Sequence, residues 1–255
     1  MFKAELRRAI TPSKMFIGFA ATLFLYFFTF NYMSWINIVK FPSNSMLYWM
    51  EVMHLETVTA RSLLPIAAAL PYAASIASDI DNRFYMQAIN RSSYNRFAMS
   101  RYMTAGITGG LILSLSRLAL LVLLSCHVPF FMPDDLEFVS TFHAWMINNN
   151  YPALFIASQV LFQFIFGFWA AGLSLCTATV TSQKGVIYTF TTLVIFAATQ
   201  LFGFNVQDFS AGYSRISYTQ TNPFAVPLII ISIGVTLSGV IYLLFYFSLK
   251  RRIKI

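Results

Sequence analysis

Charged residues are scarce in this chain. Only 10% of its 255 residues are Asp, Glu, Lys or Arg, whereas a soluble domain carries about 25%. Hydrophobic residues make up 58% of the sequence, and the mean hydropathy is +0.66. So little charge excludes an ordinary soluble domain and indicates a protein of the membrane class.

Cysteine is scarce, and the common catalytic motifs are missing. The two cysteines, Cys126 and Cys176, fall in different apolar stretches and face opposite leaflets, so we expect no disulfide between them. The sequence has no His-Glu-x-x-His and no Gly-x-Ser-x-Gly, which disfavours protease and lipase chemistry. It also has no Gly-x-x-x-x-Gly-Lys-Ser/Thr, so we expect no ATP binding of the usual kind.

Six apolar stretches are candidates for crossing a bilayer. A hydrocarbon core about 30 Å thick requires about 20 apolar residues per helix. The second stretch is short and contains Pro65 and Pro71, which a membrane helix tolerates where its neighbours satisfy the freed carbonyls. We read the first stretch as a retained span and not as a signal peptide, because it is long and no small-residue cleavage site follows it. The predicted spans are Phe16–Ile36, Ser62–Ala77, Met103–Ser125, Ala153–Val180, Val186–Phe204 and Phe224–Leu249.

The basic residues predict the orientation of these spans. Of the seventeen Lys and Arg residues, thirteen fall on one side, three fall on the other, and Arg117 lies within a span. The positive-inside rule therefore places both termini in the cytoplasm. We accordingly expect a multi-pass protein of the plasma membrane. The net charge of +8 then reflects topology and contact with anionic lipid, and it requires no nucleic-acid partner.

Residues 1–14 have the pattern of an amphipathic helix. Phe2, Leu6 and Ile10 recur at every fourth position with basic residues beside them, and Pro12 ends the run. We expect this helix to lie on the inner membrane surface before the first span. The alternative is a basic flank with no structural role.

Residues 78–101 form a polar segment between the second and third spans, on the cytoplasmic side. Ser78 followed by Asp81 fits a capping box, and acidic residues suit the first turn of a helix. The pattern therefore predicts a short amphipathic helix over Ser78–Ile89.

The aromatic residues of this segment allow two interpretations. Phe84 and Tyr85 fall on one helical face, and a second helix is predicted to start at Ser92 or Ser93 and to run into the third span. As an interfacial linker, the segment would place its aromatic rings among lipid headgroups. As a docking element, it would place them in a cleft of a soluble partner.

A longer stretch around this segment resembles a known family. The sequence LLPIAAALPYAASIASDIDNRFYMQAINRSSYNRFAMSRYMTAGITGG, residues 63–110, is similar to the permease subunit of an ATP-binding-cassette (ABC) transporter of the exporter-like type 2. In that family a proline-containing second helix ends in an acidic residue, a coupling helix follows, and an Arg-x-x-Tyr stretch leads into a glycine-rich third helix. The family commonly has glycine four residues after the acid, where this chain has Arg83. The residues that match this outline are Pro65, Pro71, Asp79, Arg91, Tyr94, Gly106, Gly109 and Gly110.

The resemblance implies a fold, a function and a set of partners. The fold is an all-α membrane protein, one permease domain over residues 1–255, with six transmembrane helices, an N-terminal interfacial helix and a cytoplasmic coupling helix between helices two and three. The function is ATP-driven export by alternating access, without enzyme activity or a cofactor in this chain. ATP and Mg bind a separate ABC ATPase subunit, and a second permease copy or a paralogue completes the transporter. The residues that the resemblance assigns to the ATPase contact are Asp79, Asp81, Phe84, Tyr85, Arg91 and Tyr94.

Two other function classes stay open on the sequence. One is an integral membrane protein without a transport cycle, such as an immunity or sensor subunit, and the other is an intramembrane enzyme, which the missing motifs disfavour. Co-purification with an ATPase would distinguish the first class from a permease. Activity of the isolated chain on a lipid or a peptide would indicate the second.

A few polar residues within the spans are candidates for a pathway or gate. Arg117 is an ionisable residue in the third span, where a charge costs at least about 2.5–3.5 kcal/mol. It either snorkels to the interface, pairs with an outer acid or an amide, or lines a cavity or gate. Gln159 and Gln163, one turn apart on the fourth span, and Gln200 on the fifth are further candidates, although amides more often hold membrane helices together.

Two further patterns are better explained by structure than by a ligand. Gly106 and Gly110 form Gly-x-x-x-Gly, which predicts a closely packed helix face. Glu51, His54 and Glu56 do not have the spacing of a zinc site, so we predict no metal site there.

Overall fold

The computed structural model describes residues 2–10, 12–29, 45, 48–49, 58–128, 130, 151–202 and 225–253. Within these ranges the regular structure is entirely helical, which confirms the all-α prediction. The helices are α1 (Phe2–Ala9), α2 (Pro12–Thr29), α3 (Val58–Ala69), α4 (Ala73–Asp81), α5 (Phe84–Arg91), α6 (Tyr94–Ser125), α7 (Pro152–Val180), α8 (Lys184–Phe202) and α9 (Ala225–Ile253).

Three of these helices are long and apolar enough to cross a membrane by themselves. They are α6, α7 and the Ile231–Ile253 part of α9. Two bent pairs raise the number to five if each pair is one span: α1 with α2, bent by 57°, and α3 with α4, bent by 52°. The fifth predicted span corresponds to α8, of which the fully described part, Lys184–Ala197, is apolar but shorter than a full crossing. The described residues therefore provide three to five candidate spans of the six predicted.

The bend between α3 and α4 follows from a proline. Pro71 has no backbone N–H and restricts the residue before it to extended conformations, so a helix usually ends ahead of such a position. Accordingly α3 ends at Ala69 and α4 begins at Ala73. Pro65 lies inside α3 without ending it.

The helix boundaries in the polar segment differ from the prediction. The capping box at Ser78 is wrong, because Ser78 belongs to α4, which continues to Asp81 and so carries its acidic residues in its last turn. The reason is tertiary packing: Ile76 and Ala77 are buried against the core, and burial of these apolar side chains outweighs the local capping pattern. The next helix, α5, begins only after Arg83, whose backbone is left-handed with φ 56°.

The second predicted helix start in this segment is confirmed. Helix α6 begins at Tyr94, and the Ser93 hydroxyl accepts a hydrogen bond from the Arg96 backbone N–H at 3.4 Å. A serine at this position satisfies one of the backbone donors that a helix N-terminus leaves unpaired.

Helices α6 and α7 cross at close range, as the Gly-x-x-x-Gly pattern predicted. A Cβ on Gly110 would lie 2.7 Å from the Phe164 ring. The closest backbone approach is at the neighbouring glycine, where a Cβ on Gly109 would lie 2.7 Å from the Gly167 carbonyl oxygen and 2.8 Å from that of Ala68. The crossing therefore depends on glycine at a position that the pattern did not single out.

Hydrogen bonds from aromatic side chains attach α9 to this core. The Tyr94 hydroxyl donates to the Tyr246 carbonyl at 2.7 Å, the Tyr102 hydroxyl to the Ser238 carbonyl at 2.7 Å, and Trp169 Nε1 to the Ser238 hydroxyl at 2.9 Å. Such bonds are favourable in a membrane because lipid provides no competing partner. The two cysteines are free, with Cys126 exposed.

Candidate functional site

An aspartate and two arginines meet where α1, α4 and α6 converge. Asp79 is buried, and its Oδ2 lies 2.6 Å from Arg101 Nη2 and 2.9 Å from Arg8 Nη1. Arg8 Nη2 also donates to Asp79 Oδ1 at 3.0 Å, which makes the Arg8 contact bidentate. Paired hydrogen bonds of this kind fix geometry as well as charge.

A second carboxylate completes the group. Arg101 Nη1 lies 2.8 Å from Glu5 Oε2, and the Tyr72 hydroxyl donates to the same oxygen at 2.5 Å. The Arg101 guanidinium also lies over the rings of Phe97 and Tyr72, with its carbon 5.2 Å and 5.7 Å from their centroids. We call Glu5, Arg8, Tyr72, Asp79 and Arg101 the charge cluster.

The charge cluster is electrically balanced, with two carboxylates against two guanidinium groups. Balance matters because Asp79 and Arg101 are both almost fully buried. A buried charge that loses its partner costs about 3–5 kcal/mol. These ion pairs hold α1, α4 and α6 together at one end, and the loss of one charged side chain would leave another buried without its partner.

Helix α5 follows this cluster and presents an aromatic side chain outward. Phe84 is 59% exposed, while Tyr85 and Ala88 pack against the core. A cleft of about 210 Å³ lies beside the cluster and brings Asp79, Phe84 and Arg91 together. Of the residues predicted to contact a partner, Asp81, Phe84 and Arg91 are exposed.

The other predicted contact residues face other helices or are shared with them. Asp81 is half-exposed and lies 3.3 Å from Arg252 Nη2 near the end of α9. Tyr94 packs edge-on against Tyr246, with ring centroids 5.0 Å apart. Asp81 and Tyr94 thus link α4 and α6 to α9, and the Asp81 side chain stays exposed while it does so.

Sequence reasoning missed most of the charge cluster. Glu5, Tyr72 and Arg101 come from distant parts of the chain, and no local pattern connects them. The one available signal is Arg101 itself, an arginine that comes shortly after the apolar pair Phe97 and Ala98 and directly before the third predicted span. Basic residues commonly flank membrane spans, so this position alone did not indicate a buried ion pair.

Arg117 lies at the other end of α6 and is 2% exposed, so it does not snorkel. Its Nη2 donates to Gln159 Oε1 at 3.2 Å, so pairing with an amide, one of the alternatives that the sequence left open, is present. The guanidinium lies over Trp49, 4.5 Å from the ring centroid, and Trp49 Nε1 donates to the Arg117 carbonyl at 2.9 Å. Gln163 is also buried, one turn along α7.

Several predicted positions cannot be placed. The side chain of Gln200 lies outside the described residues, and so do Glu51, His54 and Glu56. In the ranges that are described, no three His, Cys, Asp or Glu side chains are grouped as metal ligands would be.

Comparisons with known proteins identify no relative of this chain. No family model matches it, and no curated protein and no solved structure matches it.

Proposed function

We propose that this chain is the membrane-spanning permease subunit of an ATP-driven ABC transporter that works as an exporter. A separate ATPase subunit would bind ATP and Mg, and a second permease copy or a paralogue would complete the pathway. The two permease halves would alternate between inward-open and outward-open states.

The observation that carries this proposal is the exposed Phe84 on a short, braced helix. Phe84 is 59% exposed on the amphipathic helix α5, where Met86 is also exposed, and an exposed aromatic side chain is a typical anchor for a protein partner. Helix α5 lies between the acidic end of α4 and the arginine-containing start of α6, in a segment that the positive-inside rule places in the cytoplasm. A cytoplasmic ATPase could reach it there.

The charge cluster supports the proposal because it makes the base of α5 rigid. Asp79 lies in the last turn of α4, the helix that precedes α5, and binds both Arg8 on α1 and Arg101 on α6. A displacement of α5 would therefore move α1, α4 and α6 together. Such a linked set of helices is what a lever between an ATPase and a pathway requires.

The proposed topology has six spans with both termini in the cytoplasm of the plasma membrane. It counts α8 as a crossing in addition to the five candidates already described. Within it, Arg117, Gln159, Gln163 and Gln200 are proposed to lie along the pathway or its gate.

Crosslinking from position 84 tests the proposal. Phe84→Cys, in a chain that lacks Cys126 and Cys176, is loaded with a photoreactive reagent in native membranes, and the adduct is probed with a photoreactive ATP analogue. We expect an adduct with a nucleotide-binding subunit. Phe190→Cys is the matched control, because Phe190 is 49% exposed on the apolar helix α8.

The rival functions predict another result. An immunity or sensor subunit without an ATPase, or an interfacial linker lying on lipid, gives no nucleotide-labelled adduct from position 84. Equal labelling from positions 84 and 190 would likewise contradict the proposal.

A further inference from the structure

Arg117 differs from the other buried arginine in what surrounds it. It is buried in α6, roughly 24 Å along the helix axis from Arg101. The acidic side chains that the structure describes, Glu5, Asp79 and Asp81, all pair with arginines at the opposite end of the molecule. Among the described residues no carboxylate therefore balances Arg117.

Its hydrogen-bonding capacity is also largely unused. Nη2 donates to Gln159, whereas Nε and Nη1 have no acceptor in the described part of the chain. Nearby on α2, the buried hydroxyl of Tyr26 has no partner there either and lies within electrostatic range of the guanidinium. The groups left over on Arg117 are hydrogen-bond donors that carry a full positive charge, and the Tyr26 hydroxyl can donate as well as accept.

The surroundings limit what could satisfy these donors. Trp49 covers one face of the guanidinium, and Phe155 packs edge-on against Trp49 with ring centroids 6.4 Å apart. These walls are apolar and contribute no acceptor beside the charge. The complementary group must bring both oxygen acceptors and negative charge, as a carboxylate or a phosphate does.

We propose that Arg117 is the binding residue of an oxyanion site, with Tyr26 as a second donor, which takes a carboxylate or phosphate group. The group belongs either to a free anion or to a lipid headgroup. Arg117 lies eight residues before the end of α6, roughly 12 Å below it. Binding of an oxyanion at Arg117 does not depend on the proposed transport function, because it requires this chain alone and no ATPase.

The test measures thermal stability of the purified full-length chain in a non-ionic detergent. Inorganic phosphate and benzoate are the free probes, and benzamide is the uncharged control for benzoate. Vesicles of phosphatidylcholine with and without phosphatidylglycerol test the lipid source. A ligand that binds only the folded state raises the unfolding midpoint, and the stabilisation grows with the logarithm of its concentration above the Kd.

Two variants assign the effect to this site. Arg117→Gln is expected to raise the apparent Kd at least about tenfold, since charge-assisted hydrogen bonds are lost. Arg96→Gln is the matched control, because it removes the same charge from an exposed position at the start of the same helix. A rise with free phosphate or benzoate identifies a free anion, and a rise with phosphatidylglycerol alone identifies a lipid headgroup.

The inference is overturned if no probe raises the midpoint, or if Arg117→Gln responds as the unmodified chain does. If Arg117→Gln fails to fold, ligand binding is measured instead with Arg117→Lys and Tyr26→Phe. Lysine keeps the charge but not the planar set of donors, and phenylalanine removes one donor. Weaker binding in both supports the site, and unchanged binding in both overturns it.

Discussion

The two buried arginines of α6 show how the same residue type can have different roles in one helix. Arg101 has two carboxylates and two aromatic faces around it, so its charge is fully compensated. Among the described residues Arg117 contacts one amide and one aromatic face, and neither compensates its positive charge. The first arrangement stabilises the structure, and the second is available for a ligand.

The charge cluster predicts a strong dependence of stability on Asp79. Asp79→Asn leaves Arg101 buried with Glu5 alone, and removing one partner of a buried pair costs about 3–5 kcal/mol. The double variant Asp79→Asn/Arg101→Gln restores charge balance and is expected to recover part of that loss. The measurement is the free energy of unfolding in a double-mutant cycle.

The matched control is Asp81→Asn. Asp81 is half-exposed, and its contact with Arg252 is long, so its loss should cost no more than about 1 kcal/mol. Equal effects of Asp79→Asn and Asp81→Asn would show that burial of the cluster does not matter.

At the scale of elements, the crossing of α6 and α7 is fixed by backbone contact. Gly109 and Gly167 bring the two backbones together, and α3 approaches the same point through Ala68. The broken helix and the two long helices therefore meet at one place. Backbones that touch cannot adjust as side chains do, so this crossing should move as a unit.

Gly109→Ala tests the rigidity of this crossing. The added methyl group would meet two carbonyl oxygens at under 3 Å, and overpacking of a well-packed core costs about 1–3 kcal/mol. We expect a lower thermal unfolding midpoint in detergent. The control is Gly239→Ala on α9, where nothing lies within 4 Å and the midpoint should stay the same or rise. A Gly109→Ala chain as stable as the unmodified one would contradict the close crossing.

Arg83 illustrates which features the sequence could predict and which it could not. Its left-handed backbone costs a non-glycine residue about 1–2 kcal/mol. The family that the chain resembles commonly has glycine at this position, but the sequence analysis predicted a continuous helix over Ser78–Ile89, so the turn at Arg83 was not predicted. The capping pattern failed because Ser78 and Asp81 satisfied it locally, while burial of Ile76 extended the preceding helix.

At the scale of the whole molecule, the apolar runs predicted the helical class and most helix positions, because length and hydropathy are local properties. The Arg117–Gln159 pairing was predictable in kind, since a buried cation requires a partner. The charge cluster was not predictable, because Glu5 and Arg101 meet only after α1 folds back beside α6. Interactions between distant segments depend on packing, which one sequence without its relatives does not specify.

The amount of ATPase that purifies with the chain is the most direct measure of the central claim, that Phe84 couples this chain to an ATPase. Truncating an aromatic anchor often costs at least about 2 kcal/mol, or roughly 30-fold in affinity. Phe84→Ala should therefore insert normally and lose both bound ATPase and transport, whereas Phe190→Ala, truncated at a comparably exposed aromatic outside α5, should keep both. A Phe84→Ala chain that retains a full complement of ATPase and transports normally would contradict the account.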